Sequence, residues 1–235
     1  MTTQNRRTPT RAITRQLLAA VLGGAVSLAA ACSASHAAVP PPKVDAAPHA
    51  GLETAVLSGG CFWGIQGVFE HVRGVKKVWS GYAGGLAATA HYEVVGTGLT
   101  GHAESVQITF DPREISYGRI LQIFFSVATD PTQVNRQFPD SGTQYRSEIW
   151  YSTPDQQRVA TAYIRQLDAA RAYARPIATR VDSLKGFYKA EGYHQDYLVL
   201  HPDQPYIYTY DLPKVDALKR EFPGAYRADP VLVGG

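Results

Sequence analysis

An α+β fold, a two-layer sandwich with a mixed β-sheet and flanking helices, is predicted by this 235-residue sequence. Two observations lead there. Strand-like alternation and helix-like stripes follow one another from about residue 53 in the order β-α-β-β-α-β-α-β, with too many adjacent strands for a doubly wound parallel sheet. The first six of those elements have the split β-α-β order of a ferredoxin-like core. Length sets no obstacle, because about 160 residues in one domain bury a real core.

The elements can be justified in order. The apolar run Ala55-Val56-Leu57 marks a strand over 53–58. A helix over 61–72 follows, with Ile65, Val68, Phe69 and Val72 on one face. A second strand over 75–82 ends in a glycine-rich turn at 81–85. The third, over 104–110, alternates Val106, Ile108 and Phe110 with Ser105, Gln107 and Thr109 and stops at Asp111-Pro112. Tyr117, Ile120, Leu121, Phe124 and Phe125 share a face of a second helix over 116–128. A polar loop over 129–143 leads to a strand over 144–151. Thr153, Pro154 and Gln156 then open a third helix with an N-cap, a first-turn proline and a capping box. A strand over 176–182 precedes the segment 186–197. The tail, 205–235, is expected to wrap the surface and to hold a short helix over 213–221.

The beginning of the chain reads differently. Arg6, Arg7, Arg11 and Arg15 precede an apolar stretch from Leu17 to Ala31 and small residues ending in Ser35-His36-Ala37, the pattern of a signal peptide over 1–37. Lipid attachment at Cys32 is the alternative. Either reading expects an exported, periplasmic protein. Of 23 basic and 20 acidic residues, the leader holds four basic and no acidic ones, so the remainder carries a net charge of −1. Nothing in that balance asks for nucleic acid or an acidic membrane. Residues 38–50, with Pro40-Pro41-Pro42, read as an extended Pro/Ala-rich linker. The folded domain is placed at 51–204.

Cys61 is the one cysteine beyond the leader, so it has no partner for a disulfide within the mature chain. It sits at a strand-to-helix turn behind Gly59-Gly60, where the helix dipole is expected to favour a thiolate. It is either a nucleophile or a packed, inert thiol. Glu104 shares the parity of Val106 and Ile108; it is either a buried, protonated acid able to donate a proton or a group at a frayed strand end. Tyr145 has the parity of Ile149 and is expected to face inward. His91, His102 and His194 have no standard zinc spacing, and no metal is expected. No P-loop, dinucleotide fingerprint or Gly-x-Ser-x-Gly is present.

Four ordered blocks carry a resemblance: Gly60-Cys61-Phe62-Trp63-Gly64, Gly101-His102-Ala103-Glu104, Gly142-Thr143-Gln144-Tyr145-Arg146-Ser147 after Asp140, and Gly192-Tyr193-His194-Gln195-Asp196-Tyr197. Together they resemble the peptide methionine-(S)-sulfoxide reductases of the A type. Pro205-Tyr206-Ile207 and Pro213-Lys214-Val215 resemble one branch of that family. The resemblance implies thiol-dependent reduction of methionine-(S)-sulfoxide, free or in proteins, as repair of oxidative damage. It implies Cys61 as nucleophile and Glu104, with Tyr92 and Tyr145, as the groups that protonate and hold the oxygen. Phe62 and Trp63 become the slot for the substrate methyl, and Asp140, His194 and Tyr197 pocket residues. It implies no cofactor, an external thiol donor such as a thioredoxin-like protein or glutaredoxin, and a monomer. Three departures stand out: Thr129 replaces a common histidine, Ser141 a variable position and Phe138 a usual glycine. Two other readings compete with it, a thiol peroxidase and a binding module in which Cys61 is inert.

Overall fold

In the computed structural model, residues 1–2 and 38–234 are described, so the expected leader and Cys32 lie outside the described residues. The sheet is built on β1 (Glu53–Gly59), β2 (Val75–Ala83) and β3 (Ala103–Phe110). A small hairpin of β4 (Arg136–Gln137) and β5 (Asp140–Ser141) stands apart from it. β6 (Ser147–Tyr151), β7 (Arg180–Ser183) and β8 (Phe187–Lys189) complete the large sheet in the order β7-β6-β1-β3-β2-β8. All its neighbours are antiparallel except β6 and β7, so the sheet is mixed. The inner order β6-β1-β3-β2 is that of the predicted split β-α-β core.

The helices are α1 (Phe62–Glu70), the single turn α2 (Tyr92–Val95), α3 (Tyr117–Ile123), α4 (Pro154–Ala169), the single turn α5 (Tyr197–Leu200) and α6 (Leu212–Glu221). One core joins Leu57, Val106, Ile108 and Ile149 of the sheet to Ile65, Phe69, Ile120, Phe124, Val159, Tyr163 and Leu218 of the helices. Each such side chain contributes ~1.5–3 kcal/mol on full burial, which holds the helices against the sheet. The strand parities read from the sequence place these residues inward. The opposite face of the sheet carries a smaller cluster of Val56, Ala83, Ala103 and Trp150.

Local geometry departs from the predicted elements in five places. The helix expected to run to residue 128 widens into a π-turn over Phe124–Ala128. There Ser126 Oγ donates to the Gln122 carbonyl (2.8 Å) and accepts from Val39 N–H (3.1 Å), a side-chain insertion of the kind that opens a helix. The strand expected from 144 begins only at Ser147, because residues 143–145 form a 3₁₀ turn. The strand expected at 176–182 begins at Arg180, and β8 was not anticipated, being three residues on a sheet edge. At α4, Thr153 caps Gln156 N–H as predicted, but the Gln156 side chain accepts from Ser152 N–H rather than closing the box on Thr153.

Residues 38–46 have no regular secondary structure, bend at Lys43-Val44 and lie along the helical layer. Val39 is buried, its carbonyl accepts from Gln122 (2.6 Å), and the Pro40 and Pro41 carbonyls accept from Tyr163 and Gln166. The Asp45 carboxylate accepts from Ser116 Oγ (2.5 Å) and Gly118 N–H (2.8 Å) at the start of α3. At the other end of the chain, residues 225–234 run beside the end of α1, bonding Arg73, His71, Glu70 and Asp196.

Candidate active site

β1 delivers the chain to Cys61 through Gly60, whose φ of +106° belongs to the region only glycine enters easily. A Cβ there would also lie 2.6 Å from Gln137 Cγ. Cys61 is the N-cap of α1 and is 8 % exposed. On the neighbouring strand Glu104, 4 % exposed, turns to the same point, and its Oε2 accepts the Phe62 N–H at 3.0 Å. Of the two readings of Glu104, the buried one holds. A first-turn N–H that the helix leaves unpaired is thus satisfied by an acid, while the Trp63 N–H is directed to the Cys61 sulfur.

The electrostatics of the pair differ from the expectation for Cys61. Burial pushes the thiol well above its ordinary value. The Glu104 and Asp211 carboxyls push the same way, against the Trp63 N–H and the Lys214 ammonium. The helix dipole is outweighed, so the resting group is a thiol, not the thiolate predicted. Burial also pushes Glu104 up to about 8, against the Phe62 hydrogen bond, so the acid is protonated at neutral pH. The site therefore holds two neutral, proton-bearing groups side by side.

Aromatic rings wall the site. Phe62 is fully buried, 5.9 Å from the Tyr82 ring and 5.1 Å from His194. Trp63 stacks on Tyr197 at 4.0 Å and meets Tyr206 edge-on at 6.1 Å. Its Nε1–H donates to His194 Nδ1 at 3.2 Å, which leaves the imidazole proton on Nε2; burial lowers the pKa of this histidine and keeps it neutral. Tyr92 packs on His194 at 4.4 Å, and its phenol is pushed up to about 12 by burial and then by Glu104 and Cys61. The Tyr145 phenol is also pushed up, by burial and then by Glu104, Asp140 and Cys61. It stands on the 3₁₀ turn and not on the strand, so the parity argument that pointed it inward does not apply. Neither phenol hydroxyl has a hydrogen-bond partner among the described residues, so both are available to a bound oxygen.

The remaining motif residues hold this arrangement. Arg146 donates to the carbonyls of Gly101, His102 and Thr143 and pairs with Glu148 at 2.5 Å, tying the turn that carries Tyr145 to the loop before Glu104. His102 accepts from Gly85 N–H and donates to the Leu86 carbonyl, so both its nitrogens are engaged by backbone. Gln195 and Gln66 share hydrogen bonds with Ser80, which fixes the 192–197 segment against α1. Asp140 is half-buried, accepts from Tyr206 Oη, and its charge pushes up both Glu104 and Tyr145.

Sequence reasoning missed several contributors. Glu191 accepts from Tyr82 Oη (2.8 Å) and Tyr92 N–H (3.0 Å) and so sets the height of Tyr92. Asp211, fully buried, pairs with Lys214 at 2.9 Å. A Cβ on Gly64 would lie 2.1 Å from Asp211 Oδ1, so this pair sits directly on the first turn of α1. Tyr206 and Lys214 fall inside the two later resembling segments, which carried no role; nothing in the pattern marked Asp211 or Glu191.

Most of the folded part of the chain is similar to known proteins. A family model described as peptide methionine sulfoxide reductase matches residues 53–225. The peptide methionine sulfoxide reductase MsrA 2 of Mesorhizobium japonicum is 58 % identical over 183 residues, 78 % of this chain and 94 % of the relative. Its namesake from Synechocystis is 50 % identical, covering 81 % and 91 %. Among solved structures, Mxr1 from Saccharomyces cerevisiae in reduced form matches with a TM-score of 0.59 and 29 % identity, over 69 % of this chain and 92 % of that one. Methionine sulfoxide reductase A of Corynebacterium diphtheriae matches with 0.56 and 32 %, over 71 % and 85 %. With its α+β fold, its Cys61–Glu104 pair and a family match across nearly the whole folded unit, the chain belongs to the peptide methionine sulfoxide reductases.

Proposed function

We propose that this chain reduces methionine-(S)-sulfoxide, in proteins or as the free amino acid, with Cys61 as nucleophile and Glu104 as proton donor. The observation that carries the reading is the pairing of a neutral thiol and a neutral carboxylic acid on adjacent N–H groups of α1. Glu104 gives its proton to the sulfoxide oxygen, held also by Tyr92 and Tyr145, and the substrate sulfur becomes electrophilic. Cys61 attacks that sulfur and its thiol proton returns to the Glu104 carboxylate. In that adduct the hydroxyl moves from the substrate sulfur to Cys61 Sγ while the new sulfur–sulfur bond breaks, leaving Cys61 as sulfenic acid and releasing methionine. Phe62 and Trp63 receive the methyl and thioether, contacts that sulfur makes well with ring edges. His194 and Tyr197 hold Trp63, and Asp140 fixes Tyr206 at the rim.

No cysteine follows Cys61 in this chain, so we assign its return to the thiol to an external donor. Two donor thiols give a disulfide and water, and no metal or organic cofactor enters. We read the working unit as a monomer. We read residues 1–37 as an export leader and the place of action as the periplasm, with lipid attachment at Cys32 as the alternative. Mass spectrometry of the mature N-terminus distinguishes the two.

The activity is tested by giving the mature protein the two epimers of a methionine sulfoxide peptide with dithiothreitol. Turnover of the S epimer alone, abolished in Cys61→Ser, is expected. Reduction of hydrogen peroxide with no turnover of either epimer would favour the peroxidase reading instead.

A further inference from the structure

Trp63 is the inner end of a ladder of rings that leads out of the site. Its indole meets Tyr206 edge-on at 6.1 Å, Tyr206 meets Tyr210 at 5.2 Å, and Tyr210 meets Phe138 edge-on at 5.8 Å. Exposure increases along it: Tyr206 and Tyr210 are half-buried and Phe138 is 65 % exposed. The one carboxylate bonded to the ladder, Asp140, already accepts the Tyr206 hydroxyl. Two separate segments build it, the β4–β5 hairpin and the stretch before α6, so the rings meet through the fold and not through sequence adjacency.

Rings in contact from a reaction site to open solvent, two of the three steps edge to face, fit an apolar side chain that arrives together with the reacting group. We propose that the Tyr206–Tyr210–Phe138 ladder docks an apolar side chain flanking the oxidised methionine in a polypeptide substrate. The occupant follows from continuity with the pocket and from reach. The three steps end at most about 17 Å from Trp63, the span of about five extended residues at ~3.3 Å each. A flanking side chain within that distance of the sulfoxide reaches Phe138 while the methyl lies against Trp63. The proposal rests on the reductase reading and names the sequence context that the site prefers.

The test compares two short peptides with dithiothreitol as reductant. Each has one methionine-(S)-sulfoxide; one places phenylalanine or leucine three residues away, the other serine. Wild-type protein is expected to favour the apolar peptide, through KM more than kcat. In Phe138→Ala that preference falls about three- to tenfold, the scale of one lost ring contact, and Phe138→Trp restores it. Phe138 is exposed, so its removal leaves the core intact, and an unchanged melting temperature checks this. Equal use of both peptides by the wild type, or a preference that survives Phe138→Ala, overturns the proposal. It is also overturned if Phe138→Ala slows only turnover driven by a thioredoxin-like donor, since the ladder then serves the donor. Failure to reduce either peptide would instead sink the reductase reading.

Discussion

Glu104 and Cys61 show how far burial overrides a helix end. A half-charge at the N-terminus of α1 favours anions there by ~0.3–1 kcal/mol in exposed settings. Yet both groups are held neutral, because desolvation disfavours either ion and each would repel the other. The arrangement suits a reaction that begins by giving a proton away. Glu104 is raised to about 8, so the competent acid is present below that pH and lost above it. The single-turnover rate of sulfoxide reduction, measured without a recycling thiol, should therefore fall as pH rises through about 8. Glu104→Gln should remove that limb and slow the step by about 10²–10⁴-fold, the usual worth of a positioned general acid. A mutant that keeps wild-type turnover, or a profile that rises through pH 8 and beyond, excludes Glu104 as the donor.

Among the elements, the one furthest from expectation is the stretch 38–46, which reads as a linker yet is tied down along α3 and α4. Its Asp45 adds two bonds at the start of α3 beside the Ser116 cap. Asp45→Ala should cost about 1–2 kcal/mol, as loss of a cap does, and lower the melting temperature by roughly 2–6 °C. Calorimetry that shows no shift would mean this contact does not stabilise α3. Polyproline composition gave no sign of the docking, since the bonds run from backbone carbonyls to Tyr163 and Gln166 more than a hundred residues away. The same division holds elsewhere. Periodicity located β1, α1, β3 and the Glu104 face, because a buried face imposes its repeat on the sequence. It failed at Tyr145, where the fan of bonds from Arg146 shapes a 3₁₀ turn, and at the π-turn of 124–128. Cys61, Glu104, Phe62 and Trp63 were legible as motif residues; Asp211 and Glu191 were not, because isolated acids in loops leave no repeat to read.

Taken as a whole, the molecule builds a site that can start a redox cycle and has no cysteine of its own to finish it. β1, β3 and α1 supply thiol and acid, and the chain from Tyr206 packs on the first turn of α1 through Tyr206, Asp211 and Lys214. In the mature chain proposed above, Cys61 is the sole cysteine. Oxygen transfer then has a fixed stoichiometry. Mixed with excess methionine-(S)-sulfoxide and no reductant, each mature chain should release one methionine and stop. The protein should then be heavier by one oxygen atom, located on Cys61. A sulfenic acid held at a buried N-cap is shielded from a second chain, so no disulfide-linked dimer should form. Addition of dithiothreitol should restore both the original mass and turnover. Quenched-flow product counting with intact-protein mass spectrometry reads all of these at once. Release of two methionines per chain, or a covalent dimer in place of the oxygen adduct, would show that the oxidising equivalent leaves Cys61 without an external thiol.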